Sequence, residues 1–316
     1  MKSIVCGSVL AVIVAMLAAL PWTGNTVLVQ FGISVLLLAT LAQGWNIIGG
    51  YAGFPSFGNS VFYGLGAYGV AIAMVQYHLP FWVGMLLGLG LGVAFAGLLG
   101  LAVLRLKGHY FAICTLGLAL VMTAIVSNLE IAGSNIGLVL PLLRSEVLFY
   151  ELALGLLVLA TLTVFSLSRS RFGVGLIAIR ENEEGAAVMG VNTTLYKVLA
   201  FMLSATFTAL AGGIYAYYIT FIDPVGVFDI TLNVKMIIMA VFGGPGSVLG
   251  PVVGAFILSA ISEVLATKLT SIASMFFGIV IVIAVVFMPR GIAHLVQHIR
   301  QMGWRYFIDN VRTHRL

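Results

Sequence analysis

The chain has 316 residues, of which 61% are hydrophobic and 8% charged, and its mean hydropathy is +1.16. A soluble domain of that size cannot hide so much apolar surface behind so thin a polar skin, and a disordered chain carries far more charge. What remains is an all-α polytopic membrane protein: its 37 glycines suit close helix packing in lipid, and its net charge of +5 fits a basic inner side rather than a nucleic-acid-binding surface.

In chain order, eight apolar runs are long enough to cross a hydrocarbon core of about 30 Å: residues 4–20, 27–48, 57–75, 81–104, 111–129, 148–167, 198–222 and 272–288. The first follows Lys2 as a signal peptide would, but it is long for such a segment and reads as a retained span. Two further runs, 234–242 and 248–261, would reach only about 14 Å and 21 Å as helices. They form a re-entrant or broken pair around Gly243-Gly244-Pro245-Gly246-Ser247, giving eight to ten spans.

A second break, Gly49 to Ser60, interrupts the first half. Paired breaks in two halves point to an inverted internal repeat with a translocation path between them. The first break is expected on the cytoplasmic side and the second on the outer side. Ser56, Asn59, Ser60, Gly243 and Gly244 are the candidate path residues. The plain alternatives are glycines that serve only close packing, and Ser and Asn side chains satisfied by the preceding helical turn.

With both termini in the cytoplasm, all of the 15 Lys and Arg residues except Arg144, Lys235 and Lys268 fall on the inner side. The largest inner loop is 169–197. Glu181, Glu183 and Glu184 are expected to begin a short helix, Ala186 to Met189 to continue it, Gly190 to stop it, and Asn192 and Thr193 to cap the next span. Such a helix is either a connector lying at the headgroups or a knob for a cytosolic partner. Cys6 and Cys114 lie in apolar stretches and read as packing residues.

No catalytic constellation and no metal site emerge. His294 and His298 are four apart with no third ligand nearby, and with Trp304, Arg305, Tyr306 and Phe307 they read as a basic interfacial helix. No lysine completes a Walker A pattern, so any ATP chemistry belongs to other chains and this chain is expected to bind no cofactor. No charge lies well inside a clear span, since Glu130, Glu151, Lys235 and Glu263 sit near ends or breaks; that argues against a proton relay. A stand-alone transporter or channel using backbone carbonyls at the breaks is the alternative.

Glu184-Gly185-Ala186-Ala187-Val188-Met189-Gly190 resembles the Glu-Ala-Ala-x-x-x-Gly motif of ABC importer permeases, with Gly185 in place of the first Ala. The stretch Ala178 to Glu183 leading to Ala187 to Asn192, with Tyr196-Lys197 and Ala211-Gly212-Gly213, is similar to the branched-chain amino-acid permeases. So are Gly50 to Gly53 with Gly66-Ala67-Tyr68, Arg105 to Ile113, Gly133 to Leu138, the Gly243 segment with Gly250-Pro251, and Pro289-Arg290-Gly291. Pro55 and His109 stand where that family more often has Leu or a polar residue and Asp.

The resemblance covers about residues 27–292 and implies a permease domain over 1–292 with a basic cytoplasmic tail over 293–316. It implies a multi-pass protein of a bacterial or archaeal cytoplasmic membrane, in contact with lipid. Its partners would be a second homologous permease, two cytosolic ABC ATPases that use ATP and magnesium, and a periplasmic or surface-tethered binding protein. The ATPases would dock on Arg180, Glu181, Glu183, Glu184, Gly185, Ala186, Ala187 and Gly190. The cargo would be leucine, isoleucine, valine or another neutral amino acid, or in some branches urea or short amides.

Overall fold

The computed structural model describes residues 19–268 except Gly24, Lys107 and Arg144. The runs 4–20 (but for its last two residues) and 272–288, Cys6, His294, His298 and the tail 293–316 lie outside the described residues.

A 3₁₀ turn, Leu20–Thr23, precedes α1 (Thr26–Trp45), which is capped by the Asn25 side chain accepting from the Leu28 N–H at 3.3 Å. α1 runs on into a π-helical turn, Asn46–Tyr51, and irregular chain follows to Gly58. Then come α2 (Asn59–Val75), α3 (Phe81–Val103), α4 (His109–Ser127) and α5 (Glu146–Arg169). The loop expected to carry one short helix holds two, α6 (Arg171–Glu181) and α7 (Glu183–Val188). α8 (Thr193–Ile219), α9 (Pro224–Val227), α10 (Ile230–Gly243) and α11 (Gly250–Lys268) complete the order. At the end of the molecule far from α6 and α7, two short strands pair antiparallel, Leu138 with Ile222 and Val139 with Phe221.

Among the described residues six helical segments are long and apolar enough to cross a membrane, and two of the eight expected runs lie almost wholly outside those residues. Run 57–75 supplies only the shorter helix α2, because Phe57 and Gly58 stay irregular. Run 234–242 belongs to the longer segment Pro224–Gly243.

The core is a triad of α2, α3 and α8, close enough to exclude side chains at the crossings. A Cβ on Gly66 would strike the Ala209 carbonyl, and one on Gly69 would strike the Gly88 backbone. Without a hydrophobic drive between helices in lipid, such close contact is a main source of their attraction. Against this triad α1 packs with α5, and α10 and α11 pair with each other and with α1.

Two helices begin inside the protein rather than at its surface. The Asn59 side chain donates to Ser204 Oγ at 3.0 Å, and Ser204 lies 11 residues beyond Thr193, the first residue of α8. At 1.5 Å per residue that is ~16 Å along α8. α10 starts at similar depth, because Asn233 in its first turns meets Ser60. The irregular chain leading to α2 is tolerated there because protein surrounds it: the Phe57 N–H reaches Thr115 Oγ1 at 3.1 Å.

Candidate coupling loop and translocation sites

The α6–α7 loop is built from its caps. Ser170 accepts from the Gly173 N–H at 3.0 Å and starts α6. Asn182 takes extended backbone (φ −158°, ψ 106°), ends α6 and accepts from the Gly185 N–H at 2.9 Å to start α7. Glu181 therefore closes α6 instead of opening the next helix, and only Glu183 and Glu184 occupy the first turn of α7, where acidic side chains suit the helix dipole. Gly190 stops it in the left-handed region at φ 87°, and Asn192 caps α8 by accepting from the Leu195 N–H at 3.1 Å.

Two cations fasten this loop to the helix bundle. Lys197 is buried; its Nζ donates to Glu183 at 2.6 Å and to the Leu104 carbonyl at 2.9 Å, and lies 5.0 Å from the Phe54 ring centre. Arg180 donates to the Gly50 carbonyl at 2.9 Å while pairing with Glu181 at 2.8 Å. On α7 only Ala186 is buried, and Glu184, Gly185, Ala187 and Gly190 are exposed around it. At the tip Val188 and Met189 are 87% and 85% exposed. Fully covering one such side chain is worth about 1.5–3 kcal/mol.

The two glycine breaks meet, whereas opposite faces of the membrane were expected. Asn46, the first residue of the π-helical turn, accepts from the Gly246 N–H at 2.7 Å and donates to the Ser247 carbonyl at 2.9 Å. Gln43 donates to the Val248 carbonyl at 2.6 Å. Gly246 also faces Arg180, so loop, first break and second break form one junction at the same end. α10 descends to it and α11 leaves it, parallel in sense to α1 and α2. Gly243 and Gly244 belong to this junction, both buried, with Gly244 at φ 119°.

Ser56, Asn59 and Ser60 are fully buried. The Ser56 carbonyl accepts from Trp45 Nε1 at 2.9 Å, and its Oγ accepts from the Gly58 N–H at 3.2 Å. Ser60 donates its N–H to Asn233 Oδ1 at 2.8 Å and its hydroxyl to the Phe228 carbonyl at 3.3 Å, and accepts from Asn233 Nδ2 at 2.7 Å. The Ser60 contacts join α2 to α10, as the Asn59–Ser204 bond joins it to α8. Sequence reading did not single out Asn46, Gln43, Asn233 or Ser204; an amide inside an apolar run was the available signal.

A cleft opens at the far end. Its outer chamber, about 390 Å³, lies between α1, the end of α8, α10 and α11, and its inner chamber, about 240 Å³, lies between α1, α2, α8 and α10. Ser34, Leu38 and Lys235 line both. Among the described residues no three His, Cys, Asp or Glu side chains gather as a metal site would require.

The family model for the permease component of the branched-chain amino acid transport system matches residues 27–285. The chain belongs to that family. It is 29% identical over 297 residues to the high-affinity branched-chain amino acid transport system permease protein LivM of Salmonella typhimurium, covering 84% of this chain and 69% of the relative. The LivM of Escherichia coli K12 is 27% identical over 316 residues, covering 90% and 74%. The autoinducer 2 import system permease protein LsrC of Salmonella paratyphi B is 36% identical over 116 residues, 34% of this chain and 33% of that one. No solved structure matches. With its apolar helices, this member of a transport-permease family is a multi-pass membrane protein.

Proposed function

We propose that this permease is the membrane path of an ATP-binding cassette importer for branched-chain or other neutral amino acids. It lies in a cytoplasmic membrane with both termini inside, and the terminal apolar runs bring its crossings to between eight and ten. Two separate ATPases hydrolyse ATP and grip the α6–α7 loop, a second homologous permease completes the path, and a periplasmic or surface-tethered binding protein delivers the solute.

The observation that carries this reading is the loop itself: an exposed apolar tip of Val188 and Met189 on a loop that two cations fasten to the bundle. A tip of that kind fits a groove in a partner. Force on α7 passes through Glu183 to Lys197 at the start of α8, and through Arg180 to Gly50 and the junction of both breaks. α5 and α8, which flank the loop, tilt with it and alternate access to the path.

The partial match to autoinducer 2 permeases favours a second reading, in which the same machine imports an autoinducer-type solute. Val188→Asp with Met189→Asp, and separately Gly190→Trp or Glu184→Lys, test the docking. The variants are expected to insert normally, lose co-purification of the ATPases and stop uptake. Survival of both properties in all of them overturns the docking reading.

A further inference from the structure

Each chamber of the far-end cleft pairs one cation with one carboxylate. Lys235, in the second turn of α10, lines both chambers. Glu263 adds the negative charge of the outer chamber, and Asp229 that of the inner one. Asp229 caps α10 through Oδ1, which accepts from the Thr231 N–H at 2.8 Å, leaving Oδ2 as the oxygen to meet a ligand. The inner chamber is otherwise mostly apolar, walled by Leu37, Leu38, Leu41 and Leu232 with the rings of Tyr63 and Tyr215. Ser259 lines the outer chamber, is 7% exposed, and its Oγ makes no hydrogen bond among the described residues. A buried hydroxyl without a partner costs about 1–3 kcal/mol; a solute polar group would satisfy it.

We propose that this cleft receives a zwitterionic amino acid, a step that rests on the import reading. The carboxylate meets Lys235, the ammonium meets Glu263 and then Asp229, and the apolar side chain enters among the leucines. Because Lys235 serves both chambers, the carboxylate keeps one partner while the ammonium passes from one acid to the next. A lone anion or a lone cation complements only one of the two charges in either chamber. An uncharged solute complements neither.

The test uses the whole transporter assembled with its partner subunits in lipid nanodiscs. Ser34, exposed in both chambers, is replaced by cysteine in a Cys6→Ala, Cys114→Ala background and labelled with a methanethiosulfonate reagent. Leucine is expected to slow labelling about threefold at twice its dissociation constant. At equal concentration 4-methylpentanoate, which lacks the ammonium, 3-methylbutylamine, which lacks the carboxylate, and ribose are expected not to. Lys235→Gln, at the residue that serves both chambers, and the double variant Asp229→Asn with Glu263→Gln should each remove the protection while the complex still assembles. Uptake of leucine is measured in parallel in vesicles. Import without protection by leucine overturns the site and leaves the import reading standing. Equal protection by 4-methylpentanoate or ribose, or protection that survives Lys235→Gln, also overturns the site. Protection without import supports the site and sinks the import reading.

Discussion

Replacing Lys197 by Met keeps the length of the side chain and removes its charge. Its Nζ holds Glu183 at 2.6 Å and the Leu104 carbonyl at 2.9 Å, with the two side chains 6% and 24% exposed. Breaking a buried pair from one side costs about 3–5 kcal/mol. Glu183 keeps about a quarter of its surface in water and regains more once α7 lifts, so the local cost is about 2–3 kcal/mol. At 1.4 kcal/mol per tenfold, the lifted state of α7 becomes about 30- to 150-fold more populated. Hydrogen exchange in nanodiscs reads this directly: amides at 186–190 should exchange faster by that factor, while those in the middle of α8 should not change. Glu183→Gln should give a smaller effect, and the double variant should add little to Lys197→Met, because the two share one contact. Unchanged exchange over 186–190 in Lys197→Met would refute the claim that this lysine pins the loop.

Arg180→Ala removes the bond to the Gly50 carbonyl and should leave ATP hydrolysis running while solute uptake falls severalfold, read as the ratio of the two rates in vesicles. Gly66→Val drives a side chain into the Ala209 carbonyl and should cost about 1–3 kcal/mol or more, seen as a lower melting temperature in detergent, whereas Gly90→Ala, with open space around it, should be neutral. Asn233→Leu strips Ser60 of two hydrogen bonds and should destabilise by about 1–3 kcal/mol, since one interhelical bond in a membrane contributes about 0.6 and at most about 1.7 kcal/mol.

Much of this molecule is legible in its residues because lipid imposes a single rule on length and polarity. The spans at 27–48, 81–104, 111–129, 148–167 and 198–222 answer to that rule, and the Gly190 stop answers to backbone conformation, a left-handed cap that glycine adopts freely. Helices that begin inside the protein escape it. The run 57–75 reads as one apolar stretch, yet Asn59 starts its helix only where Ser204 receives it, a partner 145 positions away. The contact between the two breaks is invisible for the same reason, since two amides, Asn46 and Gln43, write it and nothing in the local sequence names Gly246, Ser247 and Val248 as their partners. Glu181 and Asn182 show a finer limit: acidic residues mark a helix start only to within a residue or two, and the cap decides. Lys235 and Glu263 are in view but unconnected, Asp229 is not singled out, and only the fold brings the three to two adjoining chambers.

The half-depth start of α2 constrains how the protein is made. A ribosome delivers Phe57 and Asn59 to the membrane long before the residues that satisfy them, Thr115 Oγ1 and Ser204 Oγ, have been synthesised. Until α4 and α8 arrive, the 52–58 strap has no dry place to rest, so its final threading cannot precede the synthesis of Ser204, 145 positions after Asn59.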